Sequence, residues 1–144
     1  MDPRQDPENL VFGKHTTYFE EPDIIFMGLA GECTDAEGLE LLRRQKLFAD
    51  GRKMLFFLMD GRQMAGISPG ARKAVAETLK EIPLYGMAIF EAPMKARVVA
   101  KLVITAVNLF RREASNNPIE FFPTEAEARE WIASRREKFQ HVLS

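Results

Sequence analysis

The stretch that decides the fold is Met54-Leu-Phe-Phe-Leu-Met-Asp60, followed after a short gap by Ile67-Ser-Pro-Gly70. Six consecutive apolar residues that end in an acid predict a strand buried on both faces. Ser-Pro-Gly ahead of an amphipathic segment over residues 71–82 predicts a capped helix start. These segments form half of a parallel β-α-β unit, which would place Asp60 and Ser68 at the carboxyl edge of a sheet.

Strand and helix signals alternate along the rest of the chain. Residues 1–13 hold two prolines and no periodicity, so we expect a flexible N-terminal arm followed by one domain over 14–144. The other predicted strands cover residues 14–20, 24–29, 86–90 and 119–122. Two further helices are predicted over 34–49 and 94–112, and a last helix is predicted to begin at residue 124. This order predicts a single α/β domain with a mixed central sheet of about five strands and four helices.

Bulk composition narrows the function classes. The chain has 144 residues, 46% hydrophobic and 28% charged, with a net charge of −1, so it lacks the positive excess expected of a nucleic-acid binder. A single cysteine, Cys33, and a polar start without a signal-peptide core favour a cytoplasmic protein. The apolar stretch over 98–110 is interrupted and too short to span a bilayer, so no transmembrane segment is expected.

The inventory of reactive side chains argues against catalysis. His15 and His141 are the only histidines and lie near opposite ends of the chain, so neither a zinc spacing nor a histidine-activated nucleophile is indicated. Neither a nucleophile elbow nor a phosphate loop ending in Gly-Lys-Ser/Thr occurs. We therefore expect no enzyme, no metal and no cofactor.

Ser68 carries the sharpest functional hypothesis. At the start of a helix its hydroxyl faces unsatisfied amides and the positive end of the dipole, where a phosphoryl group would be welcome, and Arg72 and Lys73 follow one turn later. The alternative is that Ser68 is only a helix cap. Asp60 either anchors a ligand or holds the turn that follows it. The partner-docking candidates, several of them in an expected exposed loop over 61–67, are Asp60, Gln63, Met64, Ile67, Arg72 and Lys73.

The third predicted helix has an unusually wide apolar face. We expect that face to be core, but it could also line a cavity for a small apolar ligand or form a homodimer interface. The apolar-ligand candidates are Val99, Leu102, Val103 and Ala106. The acids Glu20, Glu21 and Asp23 are expected in a solvated turn.

The placed motifs resemble the SpoIIAA-like branch of the STAS domains, the sulfate-transporter and anti-sigma-factor-antagonist fold. The resemblance covers about residues 14–138 and depends on Gly28 with Gly31, Leu58-Met-Asp60, Ser68-Pro-Gly-Ala-Arg-Lys73 and Phe121-Phe-Pro-Thr-Glu-Ala-Glu-Ala-Arg-Glu-Trp-Ile132. It implies a regulatory domain that binds a protein partner, with Ser68 at the position that a partner kinase phosphorylates. The branch is also similar to the CRAL-TRIO lipid-transfer fold, which implies an apolar ligand beneath the third helix.

Overall fold

The computed structural model describes residues 11–12, 14–98, 101–102 and 119–143. The strands are β1 Val11–Phe12, β2 His15–Glu20, β3 Ile24–Gly28, β4 Gly31–Cys33, β5 Leu55–Asp60, β6 Met64–Ile67, β7 Leu84–Phe90 and β8 Ile119–Phe122. The helices are α1 Asp35–Ala49, α2 Pro69–Glu81, α3 with described residues 94–98 and 101–102, α4 Glu125–Lys138 and a closing 3-10 turn Gln140–Leu143. None of the helices in these ranges is long and apolar enough to cross a bilayer.

The main sheet has the strand order β1-β2-β3-β5-β7-β8. The pairs β1–β2 and β2–β3 are antiparallel, whereas the pairs β3–β5, β5–β7 and β7–β8 are parallel. Five of these strands have four or more residues, and the two-residue β1 lies at the edge, inside the segment expected to be an arm. The predicted α/β class and mixed sheet are confirmed.

Strand β5 is buried on both faces, as its apolar run predicts. Leu55, Phe56, Phe57 and Leu58 are 0% exposed and Met59 is 8% exposed. Phe57 belongs to the core on the side of α1, while Phe56 and Leu58 belong to a second core that contains Ile132 of α4. Helices therefore cover the sheet on both sides, and Asp60 ends the central strand at its carboxyl edge.

The segment that was expected to be an exposed loop contains a strand. Met64–Ile67 forms β6 and pairs in parallel with β4, making a separate two-stranded sheet. Because this pairing turns Met64 inward, its side chain is only 3% exposed. The prediction of a loop over 61–67 is therefore wrong for residues 64–67. Four residues that include a glycine are too short a pattern to indicate a strand.

The acidic turn between β2 and β3 is also not simply solvated. Asp23 is 5% exposed and accepts hydrogen bonds from Arg136 of α4 at 2.8 and 2.7 Å. Glu20 accepts from Arg129 of the same helix at 2.7 and 3.0 Å. The prediction of a solvated turn is wrong for Glu20 and Asp23, because the arginines that bind them follow more than one hundred residues later in the chain, and holds for Glu21, which is exposed.

Candidate functional site

Ser68 caps helix α2, as its sequence context predicts. Its Oγ accepts a hydrogen bond from the Ala71 amide at 3.2 Å, and its carbonyl accepts from the Arg72 amide at 2.8 Å. The hydroxyl thus satisfies one of the amides that a helix leaves unpaired at its start. The side chain is half-buried, so the position remains accessible from one side.

The same hydroxyl joins two helices. Ser68 Oγ donates a hydrogen bond to Oδ1 of Asp35, the first residue of α1. Two glycines permit the close approach of the helices: a Cβ at Gly38 would lie 2.6 Å from the Ala71 Cα, and one at Gly70 would collide with the Asp35 carboxylate. A phosphoryl group on Ser68 would put two negatively charged groups in contact, so Asp35 would have to move away.

The other predicted docking residues do not form one exposed surface. Gln63 and Lys73 are exposed, Ile67 and Arg72 are half-buried, and Met64 is buried. The backbone around this strand is engaged as well, because the Gln63 carbonyl accepts from the Gly31 amide at 2.7 Å. Of the predicted group, only Gln63 and Lys73 are exposed.

Asp60 holds the turn that follows β5. Its Oδ1 accepts from the Arg62 amide at 3.0 Å, and the Arg62 guanidinium donates to both carboxylate oxygens at 2.7 to 3.2 Å. Burial alone would raise the pKa of Asp60, but the hydrogen bonds and charge of Arg62 outweigh burial and lower it. Asp60 is therefore ionised and engaged locally, which agrees with the turn interpretation.

Helix α3 presents large apolar side chains to solvent. Met94 is 79% exposed, Val98 is 54% exposed and Leu102 is 52% exposed; these residues, four apart along one helical face, are called the α3 stripe. The side chains that face the core in the described part of this segment are small: Ala96 is 0% exposed, and Ala92, just before the helix, is 6% exposed. The expectation that the wide apolar face is core is therefore wrong for the stripe residues. The alternative of a ligand cavity stays a prediction, because Val99, Val103 and Ala106 lie outside the described residues.

Basic side chains flank the α3 stripe. Lys95, Arg97 and Lys101 are exposed and are called the α3 cations. The guanidinium of Arg97 donates from Nε to the Ala92 carbonyl at 3.1 Å and lies 5.7 Å from the centre of the Phe121 ring. The sequence from 92 to 112 contains no aspartate or glutamate. This face of the helix is therefore both apolar and positively charged.

Sequence reasoning identified the wide apolar face but not which part of it turns outward. Alanines and larger residues both recur at four-residue spacing, so periodicity alone fits either orientation. The available signal was size: the alanines 92 and 96 lie on one side and the larger stripe residues on the other. Packing of the helix close to the sheet selects the small side.

Comparison with known proteins supports the architecture. No protein-family model matches the sequence, and no curated protein matches it. Among solved structures, the chain is similar to an uncharacterized protein of the DUF3478 family with a SpoIIAA-like fold from Shewanella loihica PV-4. The two share 16% identity with a TM-score of 0.58, over 81% of this chain and 90% of the other. The resemblance found in the sequence is thus confirmed at the level of fold, and the chain has a SpoIIAA-like fold.

Proposed function

We propose that this protein is an interaction domain that binds reversibly to anionic lipid surfaces through α3. The observation that carries the proposal is the α3 stripe. Among the described residues, the large apolar side chains that are most exposed are Leu39, Met94, Val98 and Leu102, and three of these four lie on one face of α3. A contiguous exposed apolar patch of this kind is typical of a binding surface.

The charges next to the stripe indicate the chemistry of the partner. Each lysine or arginine close to an anionic membrane contributes roughly 1 kcal/mol, and apolar side chains gain further free energy at the lipid interface. The α3 cations together with the stripe therefore favour weak, reversible adsorption rather than stable anchoring. A basic amphipathic helix is a common form of such membrane-surface contact.

Two alternative occupants fit these observations less well. A second copy of the chain would bring the same cations against the α3 cations, and like charges in an interface oppose association. A small apolar ligand held beneath α3 would need inward-facing large side chains, but Leu102 points outward and Ala96 points inward. Both remain as outcomes that the experiment can detect.

Vesicle co-sedimentation tests the proposal. The full chain should pellet with phosphatidylglycerol-containing vesicles and stay in solution with phosphatidylcholine vesicles. Val98→Ser combined with Leu102→Ser should reduce binding about tenfold or more, because two apolar side chains no longer enter the interface. Leu39→Ser, which removes a side chain that is 62% exposed on α1, should leave binding unchanged.

The contribution of charge is tested separately at Lys95, which is exposed. Lys95→Gln should weaken binding to anionic vesicles several-fold, and raising the salt concentration should weaken binding by the wild-type chain. Lys73→Gln, an equal charge change on α2, is the matched control. Binding that ignores salt and lipid charge contradicts the proposal, as does a stable dimer in sedimentation that disappears with the stripe variant.

A second candidate function is suggested by the bridge between Ser68 and Asp35. We propose that phosphorylation of Ser68 would break this bridge and alter the surface formed by the starts of α1 and α2, where Gln63 and Lys73 are exposed to a protein partner. The half-buried hydroxyl and the basic residues Arg72 and Lys73 in the next turn support the idea.

Hydrogen exchange with a phosphomimetic variant tests this candidate. Ser68→Asp should lower amide protection in the first turns of both α1 and α2, because Asp35 is repelled. Thr124→Asp, which alters the corresponding cap of α4, should leave α1 and α2 unchanged. Unchanged protection of α1 in Ser68→Asp, or absence of a Ser68 phosphopeptide in protein isolated from its native cells, would exclude the switch.

A further inference from the structure

A pocket of about 240 Å³ opens at the carboxyl ends of β3 and β5. Its lining includes Lys14, Thr16, Phe26, Gly28, Asp60 and Arg62. Phe26 packs against the core on the α4 side of the sheet, whereas Ala92 and Ala96 at α3 belong to the opposite core. None of the lining residues belongs to the α3 stripe or the α3 cations, so within the described residues the pocket is a site distinct from the proposed lipid-binding face.

Gly28 creates the floor of the pocket. It pairs with Thr16 of β2 on one side and with Asp60 of β5 on the other, so three strands meet there. A Cβ at Gly28 would lie 3.7 Å from Phe26 Cε1 and 4.0 Å from the Cβ atoms of Thr16 and Asp60, which are ordinary contact distances. An added methyl group would thus occupy the space without forcing the surrounding chain to move.

Lys14 supplies the pocket with a positive charge that the acid in its lining does not pair with. The carboxylate of Asp60 accepts hydrogen bonds from Nε and Nη2 of Arg62. No ion pair to Lys14 occurs among the described residues, and its side chain lies across Gly31, where its Nζ would be 3.2 Å from an added Cβ. Glu91, outside the lining, lies 4.0 Å from Arg62 Nε, so Lys14 is the lining cation that favours a ligand with one negative charge.

One wall of the pocket is aromatic. Phe26 is stacked on Tyr18 of the neighbouring strand, with ring centres 4.7 Å apart and planes 16° from parallel, so its position is fixed. A closed apolar cavity of about 150 Å³ holds benzene. A pocket of 240 Å³ therefore has room for one ring together with a small charged group.

We propose that this pocket binds a small carboxylate with a single ring, which rests against Phe26 while its carboxylate meets Lys14 and Arg62. Cationic donors near a partly enclosed aromatic wall suit this class of ligand. The proposal assigns the pocket to binding alone and includes no chemical step.

Titration with benzoate, followed by NMR of backbone amides, tests the proposal on the full chain. Benzoate should shift the amides of Gly28, Ala30 and Arg62 and should bind about tenfold more tightly than benzamide, which has the same ring without the charge. Equal affinity for the two compounds, or benzoate shifts elsewhere on the molecule, would overturn the proposal.

Two matched pairs of variants locate the binding. Gly28→Ala should abolish benzoate binding, whereas Gly66→Ala, where an added Cβ meets nothing within 4 Å, should bind normally. Lys14→Gln should weaken binding about tenfold, and Lys73→Gln should not. Full binding by Gly28→Ala with a native amide spectrum would exclude this pocket as the site.

Discussion

Helices α3 and α4 both carry basic side chains, but they use them differently. In α4, Arg129 and Arg136 bind Glu20 and Asp23 of the β2–β3 turn, and Arg135 Nε donates to the Tyr85 carbonyl at 2.7 Å. The α3 cations have no acids in their own segment of the chain. The comparison indicates that the arginines of α4 bind acids of the fold, whereas the α3 cations are exposed on a face of the helix whose own segment contains no acid.

The apolar side chains of the two helices differ in the same way. In α4 the large residue Ile132 faces the sheet and is 1% exposed. In α3 the inward position belongs to Ala96, and the larger Val98 faces solvent. Over its described residues, α3 buries a small side chain and exposes larger ones, which keeps apolar surface exposed to a binding partner.

The largest expected difference comes from truncating one apolar residue on each helix. Ile132→Ala should lower the free energy of unfolding by about 2 to 5 kcal/mol, because it leaves a cavity in the core on the α4 side. Val98→Ala should change it by less than about 0.5 kcal/mol, because the side chain is already in water. Urea denaturation measures both, and comparable losses would mean that α3 is packed like α4.

The next comparison removes one cation from each helix. Arg136→Ala should cost about 2 to 3 kcal/mol, because Asp23 stays buried without its hydrogen-bonded partner. Lys95→Ala should stay within about 0.5 kcal/mol of wild type. A thermal melt distinguishes the two, and a neutral effect of Arg136→Ala would contradict a structural role for the α4 arginines.

A smaller effect is expected from enlarging an alanine. Ala96→Leu should destabilise the protein by about 1 to 3 kcal/mol, since a fully buried site has no room for the extra atoms. Ala133→Leu on the exposed side of α4 should be nearly neutral. If Ala96→Leu changed the stability as little as Ala133→Leu, the inference that α3 packs closely on the sheet at Ala96 would be wrong.

Local patterns predicted the parts of the molecule that depend on neighbouring residues. The apolar run of β5, the Ser68 cap and the helix predicted over 34–49, where the Glu37 amide donates to Thr34 Oγ at 3.2 Å, all follow from spacings of a few residues. The short β4–β6 pair, the Asp23–Arg136 contact and the outward turn of α3 depend on distant segments. These features therefore could not be derived from periodicity.

The candidate sites also differ in whether they depend on neighbouring residues or on distant segments. Ser68 and Asp60 were found from the sequence because a strand end and a helix start have recognisable residues. The role of Asp35 as the partner of Ser68 was not found, because the two residues are 33 positions apart and are brought together by the packing of α1 on α2, which is close at the glycines 38 and 70. The pocket at Gly28 was missed because it needs three strands to be brought together.

A fluorescent probe on one introduced cysteine gives the most direct test of the lipid-binding role of α3. Burial raises the pKa of Cys33 to about 11, so at neutral pH its thiol stays protonated and an introduced cysteine can be labelled selectively. With a polarity-sensitive dye at Val98→Cys, phosphatidylglycerol vesicles should shift the emission to the blue, while phosphatidylcholine vesicles should not. The same dye at Leu39→Cys should show no shift; an unchanged spectrum at position 98, or equal shifts at both positions, would contradict the account.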